Sequence, residues 1–321
     1  MSSTASRRSG DDRPQPHLVI TTSSAPRALA YLPDGRRIVA GFVNGSTKVW
    51  CTQNGKEEVE FMARDGKRTR IRNLAITGDG MIICSSTGKS IEVRDTRSNQ
   101  TVKRWTNSEL PLAISFSPDN RLVAIASKTV FIHAIEGQAK QVIQVGVRVW
   151  CMSFSPAGDK LACGTSNGDI YVYDVVTSTL LLGPLTGHAP MVESVVWSRD
   201  EKRLFSCSGD ATSIHCWNAS TGDQFGRPWS GHTDGILSLS LSPDGSTLAS
   251  ASLDKTICFW NATSGDPLGQ PLRHEEGVST VCFSPTGEFV TSATIQKRKI
   301  YVWRAPQPNT SDSWVSAHQP H

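Results

Sequence analysis

Two stretches of the chain carry the residue types of acyl-transfer chemistry. His188, Ser206 and Asp210 recur as His232, Ser250 and Asp254 at the same spacing. A histidine beside a hydroxyl and a carboxylate can act as base, nucleophile and orienting acid. Gly164-Thr165-Ser166-Asn167-Gly168 also fits GxSxG, the form of a nucleophile elbow. That elbow needs a strand-to-helix turn, whereas this segment reads as a hairpin tip. Gly88-Lys89-Ser90 resembles the end of a phosphate loop, but Ile83 stands where the first glycine belongs and no helix follows. His274-Glu275-Glu276 lacks the second histidine of a zinc-protease helix, and no Cys/His cluster has zinc spacing. No catalytic residue, metal or cofactor is assigned, and the chain is read as a non-enzyme.

The elements that hold these residues are set by a repeat. A turn tetrapeptide occurs seven times: LPDG at 32–35, TGDG at 77–80, SPDN at 117–120, SPAG at 155–158, SRDE at 198–201, SPDG at 242–245 and SPTG at 284–287. An alternating segment follows each one: TKVW at 47–50, IEVR at 91–94, VFIH at 130–133, IYVY at 170–173, IHCW at 214–217, ICFW at 257–260 and IYVW at 300–303. Proline presets φ for the second position of a type I turn, and glycine suits the fourth. Alternation with period two, bounded by turn residues, predicts strands, and no stretch sustains a helical period. The tight turns Asn44-Gly45 and Asn167-Gly168 favour antiparallel hairpins. About four strands per repeat cannot bury both faces alone, so the repeats must stack, and ring closure removes the open ends.

Repeats 5 and 6 resemble WD-repeats of the G-protein β-subunit type. Gly187-His188 opens one, followed by Ser206, Asp210 and Trp217-Asn218; Gly231-His232 opens the next, followed by Ser250, Asp254 and Trp260-Asn261. The resemblance covers about residues 17–304 and implies an all-β, seven-bladed propeller. It also implies that His188, Ser206, Asp210 and Trp217, and likewise His232, Ser250, Asp254 and Trp260, are buried hydrogen-bonded sets that clamp strands to the preceding loop. Those residues are then structural. Other blades depart: blade 4 has Cys163, Asn167 and Tyr173-Asp174, blade 1 has Asn44 for Asp, and blade 7 keeps His274, Thr291 and Trp303 with Ile295 at the Asp position. Arg94 and His133 replace Trp in blades 2 and 3. The resemblance further implies that His17–Thr22 supplies the outer strand of blade 7 and latches the ring. Outer strands elsewhere carry Pro184, Pro228 and Pro271, which blunt exposed edges.

The 321 residues are 38% hydrophobic and 19% charged, with a formal charge of +4, ample for a folded core and too mild for a general polyanion binder. No apolar run reaches membrane-span length, and the first residues lack the apolar middle of a secretion signal. The expected location is cytoplasmic or nuclear, with the eight cysteines reduced; Cys207 and Cys216 could face each other across a hairpin. Residues 1–16 read as a disordered segment, 17–304 as the propeller and 305–321 as a flexible tail. What remains for function is surface. Aligning the repeats puts Arg64, Lys67, Arg68, Arg70 and Arg72 on the face that also carries Lys297, Arg298 and Lys299, with Asp234, Glu275 and Glu276 across it. Family contact positions fall at Arg70, Arg148, Met191 and Gly235. The expected function is an interaction scaffold: a monomeric propeller within larger complexes, binding proteins or peptides, acidic or phosphorylated ones included. Two alternatives stay open. Ile82–Arg97 partly resembles the box by which substrate receptors of cullin-RING ubiquitin ligases contact their adaptor, and the 64–72 loop could bind phospholipid or nucleic acid, although it lacks aromatics for base stacking.

Overall fold

The computed structural model describes residues 14–62, 71–78, 80–86, 89–96, 98, 100–107, 109–137, 140–188 and 191–306, with the backbone alone at 61, 62, 71–73, 81–86 and 90. The expected N-terminal disorder and the C-terminal tail lie largely outside these residues. The described residues form twenty-eight strands in seven four-stranded antiparallel sheets, and no helix. The first strands of the sheets are Pro26–Tyr31, Ile71–Ile76, Ala113–Phe116, Val149–Phe154, Val192–Trp197, Ile236–Leu241 and Val278–Phe283. Each lies beside the next, and Val278–Phe283 abuts Pro26–Tyr31, so these strands form an inner ring from which the blades radiate.

The turn tetrapeptides join first to second strands. In blade 6, Gly245 N–H donates to Ser242 O at 2.9 Å, and the Ser242 hydroxyl accepts from Thr247 N at 2.9 Å. The fourth turn residue takes a positive φ every time: Gly35, Gly80, Asn120, Gly158, Glu201, Gly245 and Gly287. Glu201 carries a side chain there, where glycine is favoured. Its carboxylate compensates by accepting from Ala157 N of the neighbouring turn and from Lys160 Nζ, the latter at 3.0 Å.

Between blades the core is apolar and continuous. Phe205, Cys207 and Trp229 of blade 5 pack on Ile236, Leu248 and Trp260 of blade 6. The ring is latched as the resemblance implied. Leu18–Thr21 pairs with Lys299–Arg304, placing Ile20 opposite Ile300, and Thr22 N–H donates to Arg298 O at 2.7 Å. The Tyr31 hydroxyl meets Thr291 Oγ1 at 2.5 Å, tying blade 1 to blade 7.

Pro184 and Pro271 lie in the outer strands of blades 4 and 6, and Pro228 precedes the two-residue outer strand Trp229–Ser230. Gly164–Gly168 spans a strand end and a hairpin tip. Cys207 and Cys216 do not pair: both are free and buried, and Cys216 sits opposite Phe205 while Cys207 sits opposite Ile214.

Candidate functional site

The residues that looked catalytic are buried between strand and loop. In blade 6, Trp260 Nε1–H donates to Ser250 Oγ at 2.8 Å, and His232 Nε2 meets the same hydroxyl at 2.6 Å. His232 Nδ1 lies 2.7 Å from Asp254 Oδ2, which also accepts Thr233 N–H at 3.0 Å. Burial alone would lower the His232 pKa, but the Asp254 hydrogen bond, with Cys258 close by, outweighs it and raises the imidazole to about 9. His232 therefore carries its proton. Both ring nitrogens then donate, and Ser250 turns its own hydrogen toward Cys258 O, 3.4 Å away. A serine that accepts two donors, with no exposed surface, is neither activated nor reachable as a nucleophile.

The other sets are incomplete. In blade 5, Trp217 Nε1–H donates to Ser206 Oγ at 2.7 Å and His188 Nε2 lies 2.6 Å from it. Asp210 does not join them: it is exposed, and His188 Nδ1 is buried with no partner among the described residues. In blade 7 the hydroxyl belongs to Ser292, not Thr291; His274 Nε2 and Trp303 Nε1 approach it at 2.9 and 3.2 Å. The shift by one residue puts exposed Gln296, rather than Ile295, at the Asp position, so no carboxylate faces His274 among the described residues.

With no carboxylate to oppose it, burial lowers His188 to about 3, with His215 adding to the shift, and His274 to about 4. A histidine whose folded pKa is depressed binds fewer protons folded than unfolded. Its contribution is intact above the ordinary 6.5 and is lost as pH falls toward the folded value. Urea unfolding at pH 7.5 and pH 5 will give a lower midpoint at pH 5, and His188→Gln or His274→Gln will shrink the difference.

The exposed candidates lie on the face where the first strands begin. In six blades that strand is bulged at its second residue: Arg27, Arg72, Trp150, Glu193, Leu237 and Ser279. A bulge leaves its residue out of the ladder and re-aims it. Trp150 Nε1–H donates to Glu193 Oε2 at 2.9 Å, linking blades 4 and 5 round the ring. Burial raises the Glu193 carboxyl, Trp150 offsets part of this, and Asp210 adds to it. Sequence reasoning missed Trp150 and Glu193. The signal was their common place, two residues after the contact positions Arg148 and Met191.

Arg148 is exposed beside Glu109, whose carboxyl is held down by the Ser127 hydroxyl, the Lys128 backbone and, more weakly, nearby cations including Arg148. Met191 holds a φ of 79°, a strained value for a residue with a side chain. Gly235 offers no contact side chain: a Cβ there would stand 1.7 Å from Gly209 O. Lys297 and Lys299 are already paired with Glu275, at 2.5 and 3.5 Å, and Glu276 accepts the backbone N–H groups of Gln296 and Lys297. The blade 7 hairpin thus closes its charges locally; Arg298 alone makes no ion pair among the described residues. Arg64, Lys67, Arg68 and Arg70 lie outside the described residues, and Arg72 is placed by its backbone only. In the 82–97 segment, Ile82 is opposite Arg94 within blade 2, and Arg94 is buried on Glu92 at 2.8 Å; Arg97 lies outside the described residues.

Among the described residues no group of three His, Cys, Asp or Glu could hold a metal ion, and no helix is long and apolar enough to cross a membrane. A family model described as WD domain, G-beta repeat matches residues 224–261 and 265–304, and one described as Anaphase-promoting complex subunit 4 WD40 domain matches 114–200. The chain is 26% identical to cell division cycle 20.1, cofactor of APC complex, of Arabidopsis thaliana, over 73% of this chain and 53% of that protein. It is 30% identical to a guanine nucleotide-binding protein subunit beta of Oryza sativa subsp. japonica, over 57% of this chain and 50% of that one. Protein groucho of Drosophila melanogaster is 29% identical over 48% of this chain and 21% of its own length. These matches span about half or less of the relatives' lengths. Two family models, similar relatives and a ring of four-stranded blades agree: the chain belongs to the WD-repeat family of β-propellers.

Proposed function

We propose that the protein is a non-enzymatic interaction scaffold, a seven-bladed ring that presents its bulged inner-strand face to protein or peptide partners. The observation that carries this reading is the fate of the polar residues. The His, Ser and Trp groups that could do chemistry are spent inside the blades, with Ser206, Ser250 and Ser292 fully buried. Arg27, Arg148, Trp150, Met191 and Glu193 are left partly or fully exposed at one mouth of the ring. Two similar proteins bear names that place them in assemblies, a complex cofactor and a G-protein subunit.

The basic residues Arg64, Lys67, Arg68, Arg70 and Arg72, which the repeat alignment assigns to this face, suit an acidic or phosphorylated segment. Charge reversal, Arg68→Glu with Arg70→Glu, will reduce capture of such partners in a pull-down by about tenfold, as losing two charge-assisted contacts of this kind does. Undiminished capture of every partner would retire the basic loop as a docking element. Because Lys297 and Lys299 already pair with Glu275, their reversal will have the smaller effect.

A further inference from the structure

The third strand ends in tryptophan in blades 1, 5, 6 and 7, at Trp50, Trp217, Trp260 and Trp303. In blade 3 that place belongs to His133, opposite Val123, and Ile125 stands where Ser206, Ser250 and Ser292 supply the hydroxyl in blades 5, 6 and 7. His133 Nε2 is buried and has no partner among the described residues. His133 stands at the outer margin between blades 2 and 3, where the Trp105 ring of blade 2 packs against it. This margin is aromatic: Trp105, from the outer strand of blade 2, lies tilted at 5.2 Å from His133, and Phe131 lies 6.3 Å away on the same strand face. Val142, opposite Phe131, is 42% exposed.

Two lysines lie along this margin. Lys140 sits opposite His133 and places Nζ 4.2 Å over the Phe131 ring. Lys103 reaches across from blade 2 to donate to Gly137 O at 3.0 Å. After burial, these two lysines are what depress the His133 imidazole, so both fields converge on one spot. Neither makes an ion pair among the described residues; Glu136, exposed in the adjoining turn, pairs with neither. The outer strand Lys140–Gln144 keeps unbroken register with its neighbour and contains no proline, unlike the outer strands of blades 4 and 6. An edge of that kind accepts an extended chain.

We propose that the margin between blades 2 and 3 is a second docking surface whose occupant is an extended acidic segment of a partner protein. A carboxylate sits between Lys103 and Lys140, and a neighbouring apolar side chain rests on Trp105, Phe131 and Val142. Charge complementarity selects this occupant, because a neutral segment would leave both ammonium groups unpaired and a basic one would be repelled.

The test is selection of a displayed random ten-residue peptide library on the full-length protein, with depletion on the Lys103→Glu, Lys140→Glu variant. Wild-type protein will enrich sequences with Asp or Glu next to Leu, Ile, Val or Phe. Such a peptide, made synthetically, will bind the double variant at least about tenfold more weakly, while Arg68→Glu with Arg70→Glu leaves its binding unchanged. That last arm separates this surface from the face described above. Bound carboxylate also offsets the lysine field, so the His133 imidazole will titrate at higher pH in the complex, a readout that surface adhesion elsewhere does not move. Circular dichroism melting of the double variant, expected to match wild type, guards against misfolding. The proposal fails if no acidic bias emerges, if charge reversal leaves affinity intact, if His133 does not shift, or if a ten-residue oligothymidine competes for the same site.

Discussion

Replacing Asp254 with Asn will cost the protein about 3–5 kcal/mol of stability, the usual penalty for removing one partner of a buried ion pair. The His232 side chain has no exposed surface and that of Asp254 has 7%. With the carboxylate gone, burial is the largest influence left on the imidazole, and its titration midpoint will fall from about 9 to below the ordinary histidine value of 6.5. His232 will then behave like His188 and His274, which never had a carboxylate. The pH dependence follows from both partners. A histidine raised in the folded state contributes stability that is complete below its ordinary 6.5 and is lost as pH rises through about 9. Asp254 is depressed, despite burial, by the bonds from His232 and Thr256, so its contribution is present above the ordinary 3.8 and is lost as pH falls below that. The gap between wild type and Asp254→Asn will therefore be widest from about pH 4 to 6.5 and will narrow as pH rises from 6.5 to about 9. Denaturant midpoints across that range, with imidazole NMR titrations, measure both effects. An unmoved His232 midpoint in the variant would contradict this account of blade 6.

Why blade 6 alone has the full set was only partly legible in the sequence. The spacing of His, Ser, Asp and Trp is the same in blades 5 and 6, yet Asp210 turns to solvent near Glu193 while Asp254 turns inward to His232. Spacing fixes which strand a residue sits on, not which of two neighbours its side chain chooses. Blade 7 shows a second limit. Thr291 and Ser292 are adjacent hydroxyls, and a strand's alternation sends one to Tyr31 of blade 1 and the other to Trp303 of its own blade. The turn tetrapeptides, by contrast, were legible throughout, because proline and glycine act through φ at their own positions. Charge counting on the docking face misled where it ignored neighbours: Lys297 and Lys299 share the one carboxylate of Glu275. Trp150 and Glu193 were invisible as a pair because they come from different blades, and only the stacking of blades makes their first strands adjacent.

Ring closure itself supplies the other large expected effect. Ile20 is 4% exposed and packs with Leu29, Tyr31, Ile38 and Phe42 of blade 1 and with Ile300 of blade 7. It is thus wedged where the last blade meets the first. Ile20→Asp removes a buried apolar side chain worth about 3 kcal/mol and adds a carboxylate that must either stay protonated or pull the strand out of the cleft. Melting will fall by about 5–10 °C, as such a loss does in a domain of this size class. Deleting residues 1–24 goes further, since it leaves Lys299–Arg304 as an open edge with Ile300 and Val302 uncovered. An uncovered edge recruits other chains, so the truncated protein will also self-associate and lose resistance to limited proteolysis. A synthetic peptide of residues 14–24, added in excess, will restore part of the melting temperature to the truncated protein by refilling the strand. The same peptide carrying the Ile20→Asp change will not. Equal melting of the truncated and full chains would mean that the inner ring and the Tyr31–Thr291 bond suffice to hold blades 1 and 7 together.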